Sequence, residues 1–84
     1  MKLQQGIPTF EEFVALVKDA YLNPNWVADK QDTLRYFYGD EAQNHIRNEY
    51  ALAVEEYDAG ELGVEGFRIG FVSRVAYCLF LMYE

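Results

Sequence analysis

The chain has one histidine, His45, and one cysteine, Cys78, and these two could form a nucleophile and its base. Their settings argue against it. Cys78 lies within the apolar C-terminal run, where a free thiol ordinarily serves as a small buried hydrophobe. His45 lies at the edge of a helical apolar stripe beside Ala42 and Glu49, where a hydrogen bond is the ordinary role. No glycine-rich phosphate loop, nucleophile elbow or HExxH-type pattern is present. The sequence therefore points to a protein that is not an enzyme, with no catalytic residue and no cofactor.

The remaining chemistry belongs to carboxylates. Glu55, Glu56, Asp58, Glu61 and Glu65 are hard oxygen donors of the type that calcium or magnesium selects. The stretch from Asp58 to Phe67 faintly echoes the exit of an EF-hand loop, but it lacks alternating Asp or Asn ligands, and Glu65 follows the glycine too soon. The reading is a helix–turn–helix corner with no metal.

Charge along the chain gives these acids a different meaning. The formal net charge is −7. Residues 1–39 carry four basic and five acidic side chains, and residues 66–84 carry Arg68 and Arg74 against Glu84. Residues 40–65 carry eight acids (Asp40, Glu41, Glu49, Glu55, Glu56, Asp58, Glu61 and Glu65) against Arg47 alone, which is −7 in that one segment. Asp40 and Glu41 suit a helix N-terminus, whereas Glu55, Glu56 and Asp58 fall in a last helical turn, where the helix dipole disfavours anions. Such a cluster serves either as a solvated face or as a docking surface that steers a basic partner.

Four helices are expected to position these groups. Thr9 and Glu12 form a capping box, and Phe10, Phe13, Val14, Val17 and Tyr21 follow at helical spacing, which predicts helix 1 at 10–22. Asn23-Pro24-Asn25 stops it. Residues 24–38 allow either a helix that starts at Pro24 or a connector followed by a shorter helix capped by Asp29; the expectation is a helix over 30–38, ended by a left-handed Gly39. Asp40 is expected to cap helix 3, at 41–58, with Gln43 at its third position. Its apolar stripe is Ala42, Ile46, Tyr50, Ala53, Val54 and Tyr57, opposite Glu41, Asn44, Asn48, Glu55 and Asp58, and Gly60 ends it. Gly63 caps helix 4, at 64–83, with Leu62 and Phe67 as a staple. That helix is apolar on nearly every side and is expected to form the buried centre, with Gly66, Gly70, Ser73 and Tyr77 aligned for the close approach of another backbone. A strand also fits its alternation, but the segment is far longer than usual strands.

The aromatics divide between core and surface. Tyr50 and Tyr57 belong to the helix 3 stripe. Tyr36, Phe37 and Tyr38 cannot all face inward, because consecutive helical residues diverge by roughly 100°. Phe37 is assigned inward, leaving Tyr36, Tyr38 and Trp26 as candidates for an exposed anchor.

Eighty-four residues, 51% of them hydrophobic, make one all-α domain covering 1–84, with residues 1–8 as a short tail. A single cysteine allows no intramolecular disulfide and suits a reducing cytoplasm. The N-terminal residues resemble neither a signal nor a transit peptide, and the uncharged stretch Val75–Tyr83 is too short to span a bilayer. The acidic balance argues against a nucleic-acid partner.

Two function classes follow. The first is an acidic protein-interaction module that docks Glu55, Glu56, Asp58, Glu61 and Glu65, with Tyr36 and Tyr38, on a basic surface of a protein partner. In size, charge and helical content the chain looks like phage or mobile-element inhibitors of host nucleases, the anti-CRISPR and anti-restriction proteins, and equally like the helical immunity proteins that neutralise nuclease bacteriocins. The likeness is one of class and is carried by no motif. It implies an inhibitor whose carboxylates occupy a nucleic-acid groove, as a nucleic-acid mimic. The second class is a structural or homodimerising subunit that uses helix 4, or Leu52 on the outer side of helix 3.

Overall fold

A computed structural model of the protein describes residues 6–22 and 30–83. The fold is all-α, with helices α1 (Phe10–Tyr21), α2 (Lys30–Phe37), α3 (Asp40–Asp58) and α4 (Val72–Met82). A wide π-helical turn, Gly66–Phe71, runs directly into α4, so the last helix begins at residue 64. Among the described residues there is no strand. The stop at Asn23-Pro24-Asn25, the Asp29 cap and Trp26 lie outside the described residues.

Helix α1 starts as its sequence demands. The Glu12 amide donates to the Thr9 hydroxyl at 3.2 Å, and the Thr9 amide donates to the Glu12 carboxylate at 2.9 Å. Both arms of the capping box are closed. Phe13, Val17 and Tyr21 are the buried face.

The corner between α2 and α3 differs from expectation in two ways. Gly39 has φ −72° and ψ 159°, so it is not a left-handed terminator; it is itself the N-cap of α3. Asp40 is therefore the first helical residue and not the cap, although its charge still meets the positive end of the helix. Space explains the glycine: a Cβ there would lie 3.2 Å from the Tyr36 carbonyl oxygen. Gln43, one turn in, spans the corner by donating its side-chain amide to the Phe37 carbonyl at 2.8 Å.

The core centres on three rings from three elements. Phe13, Tyr50 and Phe67 lie 5.2–5.9 Å apart between centroids, at tilted or edge-to-face angles that suit aromatic quadrupoles. Residues 6–8 belong to this core. Ile7 and Pro8 are buried, the Tyr50 hydroxyl donates to the Pro8 carbonyl at 2.9 Å, and Arg68 donates to the Gly6 carbonyl at 3.0 Å. The described end of the expected tail is thus a packed segment, held by two hydrogen bonds.

The last helix is one wall of the fold rather than its centre. Phe67, Phe71, Val72, Val75, Ala76 and Leu79 face inward, while Ile69, Tyr77, Leu81 and Met82 face solvent. Its main neighbour is α1. The π turn explains why the sequence looked apolar all round. In an uninterrupted α-helix, Phe67 would point roughly 130° away from the mean direction of Val72, Val75, Ala76 and Leu79. The wide turn accommodates one extra residue and returns Phe67 and Phe71 to the core side.

Candidate interaction site

Helix α3 ends at Asp58 through a complete glycine-centred cap. Gly60 has φ +78° and its amide donates to the Tyr57 carbonyl at 3.1 Å, while the Glu61 amide donates to the Glu56 carbonyl at 2.9 Å. This paired arrangement is the Schellman ending, which satisfies carbonyls that a helix C-terminus otherwise leaves open. It normally also joins two apolar side chains, at the positions that Glu56 and Glu61 hold here. The chain reverses within a few residues, and Glu65 enters the final helix one turn later.

The eight acids of residues 40–65 fall into three settings in the fold. Asp40 and Glu41 sit in the first turn of α3, and Glu41 also accepts from the Tyr83 hydroxyl at 3.3 Å. Glu49 pairs with Arg74 at 3.2 Å. The other five are Glu55, Glu56, Asp58, Glu61 and Glu65, and none of them has a side-chain hydrogen bond or ion pair to a described residue. Glu56 is partly buried and the other four are exposed. The basic groups nearest in sequence are engaged elsewhere. Arg68 holds Gly6, and Arg74 holds Glu49 and lies over the Phe71 ring at 5.2 Å. Among the described residues, no three carboxylate, imidazole or thiolate side chains converge as a metal site would need. These acids make a spread negative corner.

Tyr36 and Tyr38 are exposed and Phe37 is wholly buried, which divides the aromatic triplet as helical geometry requires. The structure does not join the two tyrosines to the acidic corner. They flank the start of α3 while the acids surround its end, roughly 27 Å away along a helix of this length. Tyr36 stacks on Tyr83, with centroids 4.9 Å apart and planes 11° from parallel. Lys18 lies over the Tyr38 ring at 5.5 Å, and the Tyr38 hydroxyl raises the lysine pKa above its usual value. The expected seven-residue site is therefore two surfaces at opposite ends of α3.

His45 and Cys78 are each partly buried, and no hydrogen bond joins them. The expected hydrogen bond of His45 is missing at one ring nitrogen: its buried Nε2 has no partner among the described residues. Leu52, read as an outward residue of α3, instead packs partly buried against the core. The reason is breadth: α1, the π turn and α4 all touch α3, so its covered face is wider than a single stripe. No described helix is long and apolar enough to cross a membrane.

Sequence reasoning places a self-association line on the last helix at Gly66, Gly70, Ser73 and Tyr77, and what it missed there is the exposure of Ile69 and Leu81. Its signal was present as Ile69, Tyr77 and Leu81 in a helical period, but the π turn disguised which side they take.

Comparison with known proteins finds no matching family model, no similar curated protein and no similar solved structure.

Proposed function

We propose that this protein is a small acidic interaction module that docks its α3–α4 corner on a basic, nucleic-acid-binding surface of a partner protein and thereby inhibits it. The observation that supports this reading is the set of five carboxylates, Glu55, Glu56, Asp58, Glu61 and Glu65, left without a cationic partner at one corner while the neighbouring arginines are used elsewhere. A fold gains nothing from anions at a helix C-terminus; each costs roughly 0.3–1 kcal/mol there. A partner surface shaped for phosphates would reward the same charges. They speed encounter through long-range attraction and reject acidic competitors. Spread carboxylates with no shared focus suit a surface of several cations better than a single ion. The anti-CRISPR, anti-restriction and immunity proteins that the chain resembles in class would act by this logic, and a cytoplasmic setting fits it.

The test compares wild-type chain with the E56K/D58K double variant as bait in the native host lysate, at low and at high salt. The proposal expects a basic protein retained by wild type and lost with the variant, competed off by nucleic acid, with the difference shrinking as salt rises. If every captured protein binds the variant as well as the wild type, the corner is only a solvated face.

A further inference from the structure

We propose that the protein also pairs with a second copy of itself through the outer face of its last helix, the two helices packing antiparallel about a two-fold axis between Ser73 and Tyr77. This inference does not rest on the acidic-corner reading.

Three observations carry it. The first is exposure. Ile69 is 64% exposed, Tyr77 51% and Leu81 52%, and with Ser73 they form one stripe at four-residue spacing. Scattered apolar side chains on a surface are ordinary, whereas an aligned set on one helix face marks a contact surface. The π turn contributes directly, because the rotation that buries Phe67 also swings Ile69 outward.

The second observation is charge. Between Ile69 and Leu81, Arg74 flanks the stripe and pairs with Glu49 at 3.2 Å, while Glu65, one turn before Ile69, closes its N-terminal end. This face is therefore close to neutral on a chain of net charge −7. A basic partner drawn by the acidic corner finds little counter-charge here beyond Glu65. In an antiparallel pair the two Glu65 side chains lie at opposite ends, and each Arg74 near the axis carries its own Glu49. Antiparallel packing also sends the two acidic corners to opposite ends of the pair, whereas parallel packing would set them side by side.

The third observation is the order of sizes along the stripe. Reversed against itself about its midpoint, Ser73 faces Tyr77 of the second copy and Ile69 faces Leu81. Tyr77, the largest side chain, meets the smallest, and the same contacts recur on both sides of the axis, as an isologous interface requires. Gly70 adds to the hollow, since nothing lies within 4 Å of where its Cβ would be. A parallel pair would oppose Tyr77 to Tyr77 and leave a gap at Ser73. One helix face is smaller than the roughly 800 Å² per partner typical of stable interfaces, so the association is concentration-dependent.

Sedimentation equilibrium on the full chain, from low to high micromolar concentration, reads the result. The average mass should climb from the 9.8 kDa of one chain toward twice that value. I69K and S73E alter largely solvent-facing positions and should each weaken pairing at least about tenfold with unchanged helical circular dichroism. S73E/Y77K restores pairing relative to S73E, because the antiparallel axis sets opposite charges face to face. A mass of one chain at every concentration overturns the proposal and leaves this face to a foreign partner. A dimer indifferent to I69K and S73E overturns the surface, and a double variant that pairs no better than S73E overturns the antiparallel axis.

Discussion

The amide of Glu61 donates to the carbonyl of Glu56 at 2.9 Å, so the turn after α3 brings together two glutamates where this helix ending usually joins two apolar side chains. The backbone closes both hydrogen bonds of this ending. The side chains work against it, through mutual repulsion and through the negative end of the helix. Fold and charge pattern disagree here, at the place where the protein concentrates its acids.

That disagreement makes a stability prediction opposite in sign to the binding one. E61L should stabilise the chain by about 0.3–1 kcal/mol, by supplying half of the missing apolar contact and removing one repelled charge. E56K and D58K should each add a similar amount, by placing a cation in the last turn of α3. Urea midpoints measure this, with unchanged m-values showing that compactness is preserved. The lysine gains should shrink in high salt, while the apolar part of the leucine gain persists. Destabilisation by both lysines would mean that the carboxylates hold the fold together.

How far the sequence discloses this arrangement depends on the range of the interactions involved. The Thr9–Glu12 box, the stripe of α3 and the glycine ending at Gly60 are local, and each is readable from residues within one or two turns. The outer face of the last helix is not, because its phase depends on a π turn that tertiary packing of Phe67 and Phe71 selects. Gly39 shows the same limit: a glycine between two helices fits either a left-handed terminator or an N-cap, and only its φ of −72° identifies it as the cap. The acids were legible as a cluster, but their lack of partners was not. It depends on Arg68 reaching back to Gly6 and Arg74 crossing to Glu49, contacts distant in sequence. Tyr36 and Tyr38 looked like part of the same surface until the length of α3 separated them from it.

Three glycines give a graded test of the last two turns. G60A should cost about 1–2 kcal/mol, since residue 60 is left-handed at φ +78°. G70A should add about 0.5–1 kcal/mol to the isolated chain, because the site is helical and open. G66A should fall between them: its Cβ would sit 2.8 Å from Leu62 Cδ1, and the leucine must swing aside against the helix gain. Chemical denaturation at low protein concentration gives the order. A stabilised G60A would contradict the turn geometry.

Alkaline pH should destabilise the protein through three phenols, the buried Tyr21 and the partly buried Tyr50 and Tyr83. Desolvation raises the pKa values of Tyr21, Tyr50 and Tyr83 above the usual 10.0. The charges of Tyr83 and Tyr36 add to the effect at Tyr21, that of Glu12 adds at Tyr50, and that of Glu41, with its hydrogen bond, adds at Tyr83. A folded pKa above the unfolded one means that the native state holds the proton more tightly. The resulting stability is fully present below pH 10.0 and is lost as pH rises through the folded values. Lys18 is shifted in the same direction, so phenylalanine variants are needed to separate the contributions. Y50F should flatten part of the alkaline fall, yet cost about 0.5–1.5 kcal/mol at neutral pH, because the Pro8 carbonyl loses its donor. Phenolate absorbance followed alongside circular dichroism decides the matter. In the folded chain some of the seven tyrosines should ionise late, with the last of them ionising only as the helices melt. A single ordinary titration of all seven in a chain that stays helical would show that these rings are open to water.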